Sequence, residues 1–406
     1  MALMKAEPNT QLVIKEFLYY FLKTSNLFNY IAAASLRTAG QDGVRKDHLD
    51  NYPVFIPPLN EQKRIVNTIE ALRERSQKAR SALSAIPELC DKFRQSVLAA
   101  AFRGDLTADW REQNPDVEPA SVLLERLKES NQIAKVRRGV PEKVAESEIV
   151  RDWTIPETWT SASAAELLRC GIFVDLKDGN HGGSHPKTSE FTSDGLPFIT
   201  AAQVKDFSID YDGANRISGE PLKKLRVGFA KPKDVTYTHK GSVGRVAIAD
   251  RECILTPQTT YYRVAKDILY NRYLMWYLSC PNFTEQVDSI KSQTTRDFVP
   301  ITEQYLLFHC LPPLEEQIEI VKCIESLFEA IRTVSKQHID SVSQLTQFDR
   351  SILAKAFQGE LVEQDPNDEP ASVLLERIRV DREQQAQEKT KKPGTKRKRT
   401  AKADPV

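Results

Sequence analysis

Pro57-Pro58-Leu59-Asn60-Glu61-Gln62 returns 255 residues later as Pro312-Pro313-Leu314-Glu315-Glu316-Gln317. At the same offset, Ser96-Val97-Leu98-Ala99-Ala100-Ala101-Phe102-Arg103-Gly104-Asp105-Leu106 returns as Ser351-Ile352-Leu353-Ala354-Lys355-Ala356-Phe357-Gln358-Gly359-Glu360-Leu361. Glu118-Pro119-Ala120-Ser121-Val122-Leu123-Leu124-Glu125-Arg126 then returns without a change as Glu369 to Arg377, at an offset of 251, so the first copy carries four extra residues in the loop before it. Nine identical residues in a row mark a duplicated unit. Its period lies far beyond the roughly 20–50 residues of solenoid repeats.

Between the matching blocks the pattern is helical. Apolar or small residues fall at 65, 69, 72, 76, 79, 83, 86, 90, 93, 97 and 100, and again at 320, 324, 327, 331, 334, 338, 341, 345, 348 and 352. Steps of four and three alternate throughout, which is a heptad seam. Each helix is expected to run about 40 residues, roughly 60 Å at the α-helical rise. The Pro-Pro pairs, followed by acidic residues, mark the helix starts. Gly104 and Gly359 mark the ends, where a left-handed backbone is needed. Pro87 lacks an amide donor and is expected to kink the first helix. Two matching seams separated by a connector long enough to hold a domain predict an antiparallel pair.

Residues 152–311 read differently. Short apolar runs bounded by turn signals, such as Leu196-Pro197-Phe198-Ile199-Thr200, Asp234-Val235-Thr236-Tyr237, Gly244 to Ala249 and Thr260 to Val264, have strand character. A helix is expected near Asn271–Leu278. Residues 1–56 match only the end of that region: Phe17-Leu18-Tyr19-Tyr20-Phe21-Leu22 resembles Tyr273-Leu274-Met275-Trp276-Tyr277-Leu278. A piece of that size buries too little to stand alone and must dock on something.

The expected fold class is therefore α+β with an internal duplication: recognition regions of mixed strands and helices joined to two long helices that form an antiparallel coiled coil. The expected organisation is a C-terminal remnant of one globular domain at 1–56 and a first long helix at 57–106. A connector with a short helix at 107–151, a complete globular domain at 152–311 and a second long helix at 312–361 follow. A short helix at 362–383 and a disordered basic tail at 384–406 end the chain.

Over 406 residues the net charge is +1, so there is no global basic field, and any nucleic-acid contact must come from local clusters. Lys389, Lys391, Lys392, Lys396, Arg397, Lys398, Arg399 and Lys402 form one such cluster in the expected tail. Cys90, Cys170, Cys253, Cys280, Cys310 and Cys323 show no CxxC pair, which reads as reduced thiols. Neither a signal-peptide pattern nor an apolar run of about 20 residues occurs, so a cytoplasmic protein without membrane contact is expected.

The PPLxEQ block, the long helix, the SVLAAAFRGDL or SILAKAFQGEL block and the EPASVLLER block together resemble the conserved regions of specificity (S) subunits of type I restriction-modification systems. Ile155-Pro156-Glu157-Thr158-Trp159 is similar to the opening of a target recognition domain in that family. Thr236 to Ala247 resembles its Gly-Ser/Thr-x-Gly element. The resemblance implies a non-catalytic subunit that binds double-stranded DNA through two target recognition domains, one per half of a split site. It also implies docking of methyltransferase (M) subunits on the helices and assembly with a restriction (R) subunit. No cofactor is implied on this chain; S-adenosylmethionine, ATP and Mg belong to the partner subunits. This chain departs from the pattern in showing one complete recognition domain and the tail of another, as if N-terminally truncated. Self-dimerisation would restore two domains. The alternative is a scaffold that binds M subunits without specifying a site.

DNA readers need donors on loops near a groove, flanked by Lys or Arg for phosphates. Four loops fit. Asp178 to Thr188 is polar and glycine-rich and offers His181, Lys187 and Thr188. Gln203 and Lys205 follow a strand end. Lys240, Ser242 and Arg245 lie on a glycine-rich turn that lacks Walker order. Lys291 to Arg296 offers Thr294, Thr295 and Arg296. His181 and His185 lack a third ligand nearby, so no metal site is expected. The outward faces of 60–103 and 315–357, with Ser121–Arg126 and Ser372–Arg377, are the expected M-docking surface. No Asn/Asp-Pro-Pro-Tyr/Phe methyltransferase motif, P-loop or nuclease cluster is visible, and no catalytic residue is expected.

Overall fold

The computed structural model describes residues 7–35, 49–130, 140–142, 144, 154–182, 185–205, 207–291 and 297–391. The chain divides into two compact units, one of residues 1–86 with 336–406 and one of residues 87–335.

In the first unit, helices Lys15–Phe21 and Ser25–Ser35 precede helix Leu59–Leu83. Residues 336–358 of the 45-residue helix Leu314–Gln358 complete the core. Val13, Phe17 and Tyr20 bury against Ile65, Val66 and Ile69 of one helix and Ile352 and Ala356 of the other. The short N-terminal piece thus obtains its core from the long helices. The two helices run antiparallel: Arg80, late in the first, reaches Asp349 at 3.0 Å, while Arg64, early in it, reaches Asp368 beyond the end of the second.

In the second unit, helix Ile86–Arg103 meets residues 314–335 in the same antiparallel sense, since Thr107 just past its end bonds Glu316 at the partner's start. Between them lies the sheet-bearing region. One sheet orders its strands as Asn215–Ile217, Leu196–Ile199, Cys253–Leu255 and Phe229–Ala230, the middle pair being parallel. The other orders Phe173–Asp178, Thr259–Val264, Val235–Thr238 and Val246–Ile248, all antiparallel. Strand Thr160–Ser163 pairs with Phe308–Leu311, so the region ends beside where it began.

The duplication is visible atom by atom. Gln62 accepts from the Ile14 amide at 3.0 Å and donates to the Leu12 and Pro57 carbonyls. Gln317 accepts from the Tyr270 amide at 2.8 Å and donates to the Ile268 and Pro312 carbonyls. Phe17 and Phe21 pack on Phe357 with ring centroids 5.1 and 5.5 Å away; Tyr273 and Tyr277 pack on Phe102 at 5.4 and 5.3 Å.

Several expectations need correction. The first long helix is two helices, broken at Ser84-Ala85, because Pro87 has no amide to bond to the Leu83 carbonyl. The seam is buried at Ile65, Ile69, Cys90, Val97, Ile320, Ile324, Ile331 and Ile352, but Phe93, Val334 and Phe348 stay 48%, 45% and 42% exposed. Near Val334 and Phe348 the seam carries His338 and Ser341, which offer little apolar area to close over them. The connector holds two helices, Ala108–Gln113 and Ala120–Glu129. The last helix, Ala371–Lys391, runs past the expected start of the tail at 384, since Glu, Gln and Ala favour helix. Residues 392–406 lie outside the described residues. Among the described residues no helix is long and apolar enough to cross a membrane.

Candidate nucleic-acid interface

The expected loops lie far apart in sequence, and the strand order gathers them. Strands Phe173–Asp178, Leu196–Ile199, Val235–Thr238 and Cys253–Leu255 all leave their sheets at the end where Thr259–Val264 begins. Backbone bonds tie these exits together: Gly179 N–H to Thr259 O at 2.8 Å, Asn180 N–H to Leu255 O at 2.7 Å and Thr256 N–H to Ile199 O at 2.9 Å. His239 N–H to Gln258 O and Val299 N–H to His239 O, each 2.9 Å, extend the tie to the segment after residue 296. Gly179 is required here, because a Cβ would stand 1.9 Å from the Thr256 carbonyl oxygen.

The nominated residues divide by what already holds them. Gln203 is occupied: its carbonyl oxygen accepts from the Thr200 amide at 3.1 Å and its amide donates to Gly213 O at 3.2 Å. Arg245 is a brace, its guanidinium donating to the Ala201 and Val204 carbonyls at 3.3 and 3.4 Å. It thereby fixes the 240–245 turn against the 200–205 loop. The Thr238 hydroxyl donates to Ser242 O and accepts from the Arg245 amide, which shapes the same turn. Lys205 pairs with Asp210 at 3.1 Å on the surface.

Lys187, Thr188, Lys240 and Ser242 are exposed. Among the described residues, no carboxylate pairs with Lys187 or Lys240. The Lys240 amine sits 5.3 Å from the Phe298 ring centroid, an attraction to the ring's negative face. His181 Nδ1 lies 3.0 Å from Gly179 O and 3.3 Å from the Asp178 carboxylate. The loop from 185 is held by the His185 ring against Phe198, centroids 5.6 Å apart. Thr294, Thr295 and Arg296 lie outside the described residues. Lys291 and Asp297, which flank them, pair at 2.9 Å.

Sequence reading passed over the polar groups buried beneath this end. Asn180 Nδ2, His239 Nε2 and Thr256 Oγ1 are buried without a hydrogen-bond partner among the described residues. Such atoms are rare in folded proteins. Burial holds the His239 imidazole neutral, its pKa lowered to about 4. Only the occurrence of Asn180 beside Gly179 hinted at this. No group of three or more His, Cys, Asp or Glu suited to a metal ion occurs among the described residues. The end therefore offers exposed cations and hydroxyls on a hydrogen-bonded frame: groups that grip phosphates and read base edges.

Residues 2–83 and 174–344 match the family described as Type I restriction modification DNA specificity domain. The specificity subunit of the type I restriction enzyme EcoBI from Escherichia coli is 25% identical over 383 residues, covering 91% of this chain and 72% of its own length. That of EcoKI from Escherichia coli strain K12 is 25% identical over 394 residues, covering 92% and 73%. Among solved structures, a chain from a study of complex assembly and conformational transition of the type I R-M system superposes with a TM-score of 0.62 at 21% identity, covering 87% of this chain and 73% of that one. The HsdS subunit from Thermoanaerobacter tengcongensis gives 0.52 at 22%, covering 87% and 72%. These two likenesses bear on the fold.

Proposed function

Because this chain belongs to the family of type I restriction modification DNA specificity domains, we propose that it is the sequence-reading subunit of a type I restriction-modification complex. The family is one of DNA-recognition subunits rather than catalysts. In this reading the chain directs methyltransferase and restriction subunits to one part of a split site in double-stranded DNA. The partners carry S-adenosylmethionine, ATP and Mg, and the complex is cytoplasmic.

One observation carries the DNA reading: loops near 180, 200, 240 and 297, scattered over more than a hundred residues, meet at one end of two sheets. Lys187 and Lys240 would hold phosphates there, which fixes register. Thr188 and Ser242 would reach base edges in the major groove. Gln203 would support the frame, since both ends of its amide are already used within the protein, and Arg245 would brace the turn through Nη1. Exposed faces of the long helices would dock the M subunits.

The test is methylome sequencing of cells that express this chain with its M subunit. A methylated interrupted motif that changes when Lys240 and Ser242 are replaced supports the proposal. A palindromic motif would add that two copies of this chain act together. Co-purification of the M subunit without any methylated motif would overturn DNA reading and leave a scaffold role.

A further inference from the structure

The duplication builds the same joint twice, and the two copies differ in how they are filled. At the second copy, Glu316 is fully buried and saturated. Its Oε2 accepts from the Trp159 indole at 2.8 Å, and its Oε1 accepts from Thr107 at 2.7 Å and Arg111 at 2.6 Å. Pro156 lies on Gly104, so that a Cβ on Gly104 would stand 2.4 Å from Pro156 Cγ. One short segment, Pro156 to Trp159, thus covers the glycine with its ring and the carboxylate with its indole.

At the first copy, Glu61 takes the place of Glu316 and Gly359 that of Gly104. Glu61 is only 5% exposed, yet no described residue donates a hydrogen bond to it. Val362 stands where Thr107 does at the other joint, and the four-residue difference between the copies removes the counterpart of Arg111. Gly359 has φ +80°, close to the +85° of Gly104, but a Cβ there would meet nothing nearer than Gln364 Nε2 at 3.9 Å. What remains is a cavity of about 700 Å³ walled by Phe17, Phe55, Pro57, Phe357 and Pro366, with Glu61 on its lining and, among the described residues, no Lys or Arg. Burial pushes the Glu61 carboxyl above its ordinary pKa, and the charge of Arg64 pulls it the other way. The other joint displays the groups that would satisfy it.

We propose that this cavity receives a Pro-x-x-Trp segment lying outside these 406 residues, its proline on Gly359 and its indole N–H on Glu61. The 406 residues contain Pro-x-x-Trp once, at Pro156 to Trp159, and that copy is engaged at Glu316. Arg64 stands near enough to act on Glu61 but is itself bonded to Asp368 at 2.8 Å. The inference rests on the two joints and is independent of whether the chain reads DNA.

The probe is a fluorescein-labelled peptide of residues 152–162 of this chain, titrated with the full-length protein and followed by anisotropy. Saturable binding is expected, weakened at least tenfold by Trp159→Ala in the peptide or by Glu61→Ala in the protein. Glu61→Gln, which preserves shape, is expected to weaken it about fivefold while circular dichroism shows an unchanged fold. Binding that persists in both Glu61 variants would mean the peptide exchanges with its own copy at Glu316, and this overturns the proposal. So does an absence of binding, or binding indifferent to the peptide's tryptophan.

Discussion

The indole N–H of Trp159 donates to Oε2 of Glu316 at 2.8 Å, so two residues 157 apart in sequence fasten the start of the sheet-bearing region to the start of a long helix. The pairing of Thr160 with Leu311 makes this possible, because it returns the chain to its starting point one residue before Pro312.

Glu316→Ala strands an indole N–H, a hydroxyl and a guanidinium in a buried place. We expect a loss of about 3–5 kcal/mol, the scale for breaking a buried pair from one side. Glu61→Ala removes a carboxylate that has no donor, and the expected change is under about 1 kcal/mol. Urea unfolding of the two variants checks this. Equal losses would show that the joints are filled alike.

The paired glutamines give a second prediction. Gln62→Ala orphans the Ile14 amide and two carbonyls, and Gln317→Ala does the same at Tyr270. Each is expected to lose about 1–3 kcal/mol locally. Hydrogen exchange should accelerate at Ile14 alone in the first variant and at Tyr270 alone in the second. Unaltered exchange at those amides would contradict the bonding described.

His309 is buried among Phe173, Tyr262, Tyr277 and Phe283, and desolvation lowers its pKa to about 3; His239 is lowered to about 4. Both folded values lie below the unfolded value near 6.5, so the unfolded chain binds the extra protons. Their contribution is fully present above pH 6.5 and is lost as pH falls from there toward 4 for His239 and 3 for His309. Each proton adds at most about 1.4 kcal/mol per pH unit to that slope. The measurement is urea unfolding between pH 4 and 7 for His309→Phe, whose slope should be shallower by one proton. An identical slope would remove His309 from the account.

Lys187→Ala and Lys240→Ala should weaken DNA binding evenly across sequences. Each should lower the salt-dependence slope by about 0.9, the value for one phosphate that is no longer neutralised. Gln203→Ala should reduce stability and leave base preference unchanged, because its amide is committed to Thr200 and Gly213. Competition binding at several salt concentrations reads both. A base-specific defect from Gln203→Ala would restore it as a reader.

The long helices were legible because periodicity and the Pro-Pro and glycine boundaries are local signals. Their break at Ser84 followed from Pro87. The exposure of Phe93 and Phe348 was not legible, since a seam in sequence does not say how much apolar area a neighbour brings. At the candidate interface, glycines and polar runs located the loops but not their meeting. That depends on Leu196–Ile199 lying parallel beside Cys253–Leu255, a pairing across more than fifty residues. The same limit hid the roles of Gln203 and Arg245: a polar side chain in a loop reads alike whether it faces solvent or a distant carbonyl.

The glutamines at 62 and 317 grip only main-chain atoms of the segments that precede them. An amide and a carbonyl look the same whatever side chain they bear, so this coupling is blind to residue identity at 12, 14, 268 and 270. The attached region can drift in sequence, or be replaced by another of the same backbone course, without the helix having to change in step. A reader of this design can take on a new text while its binding stays as it was.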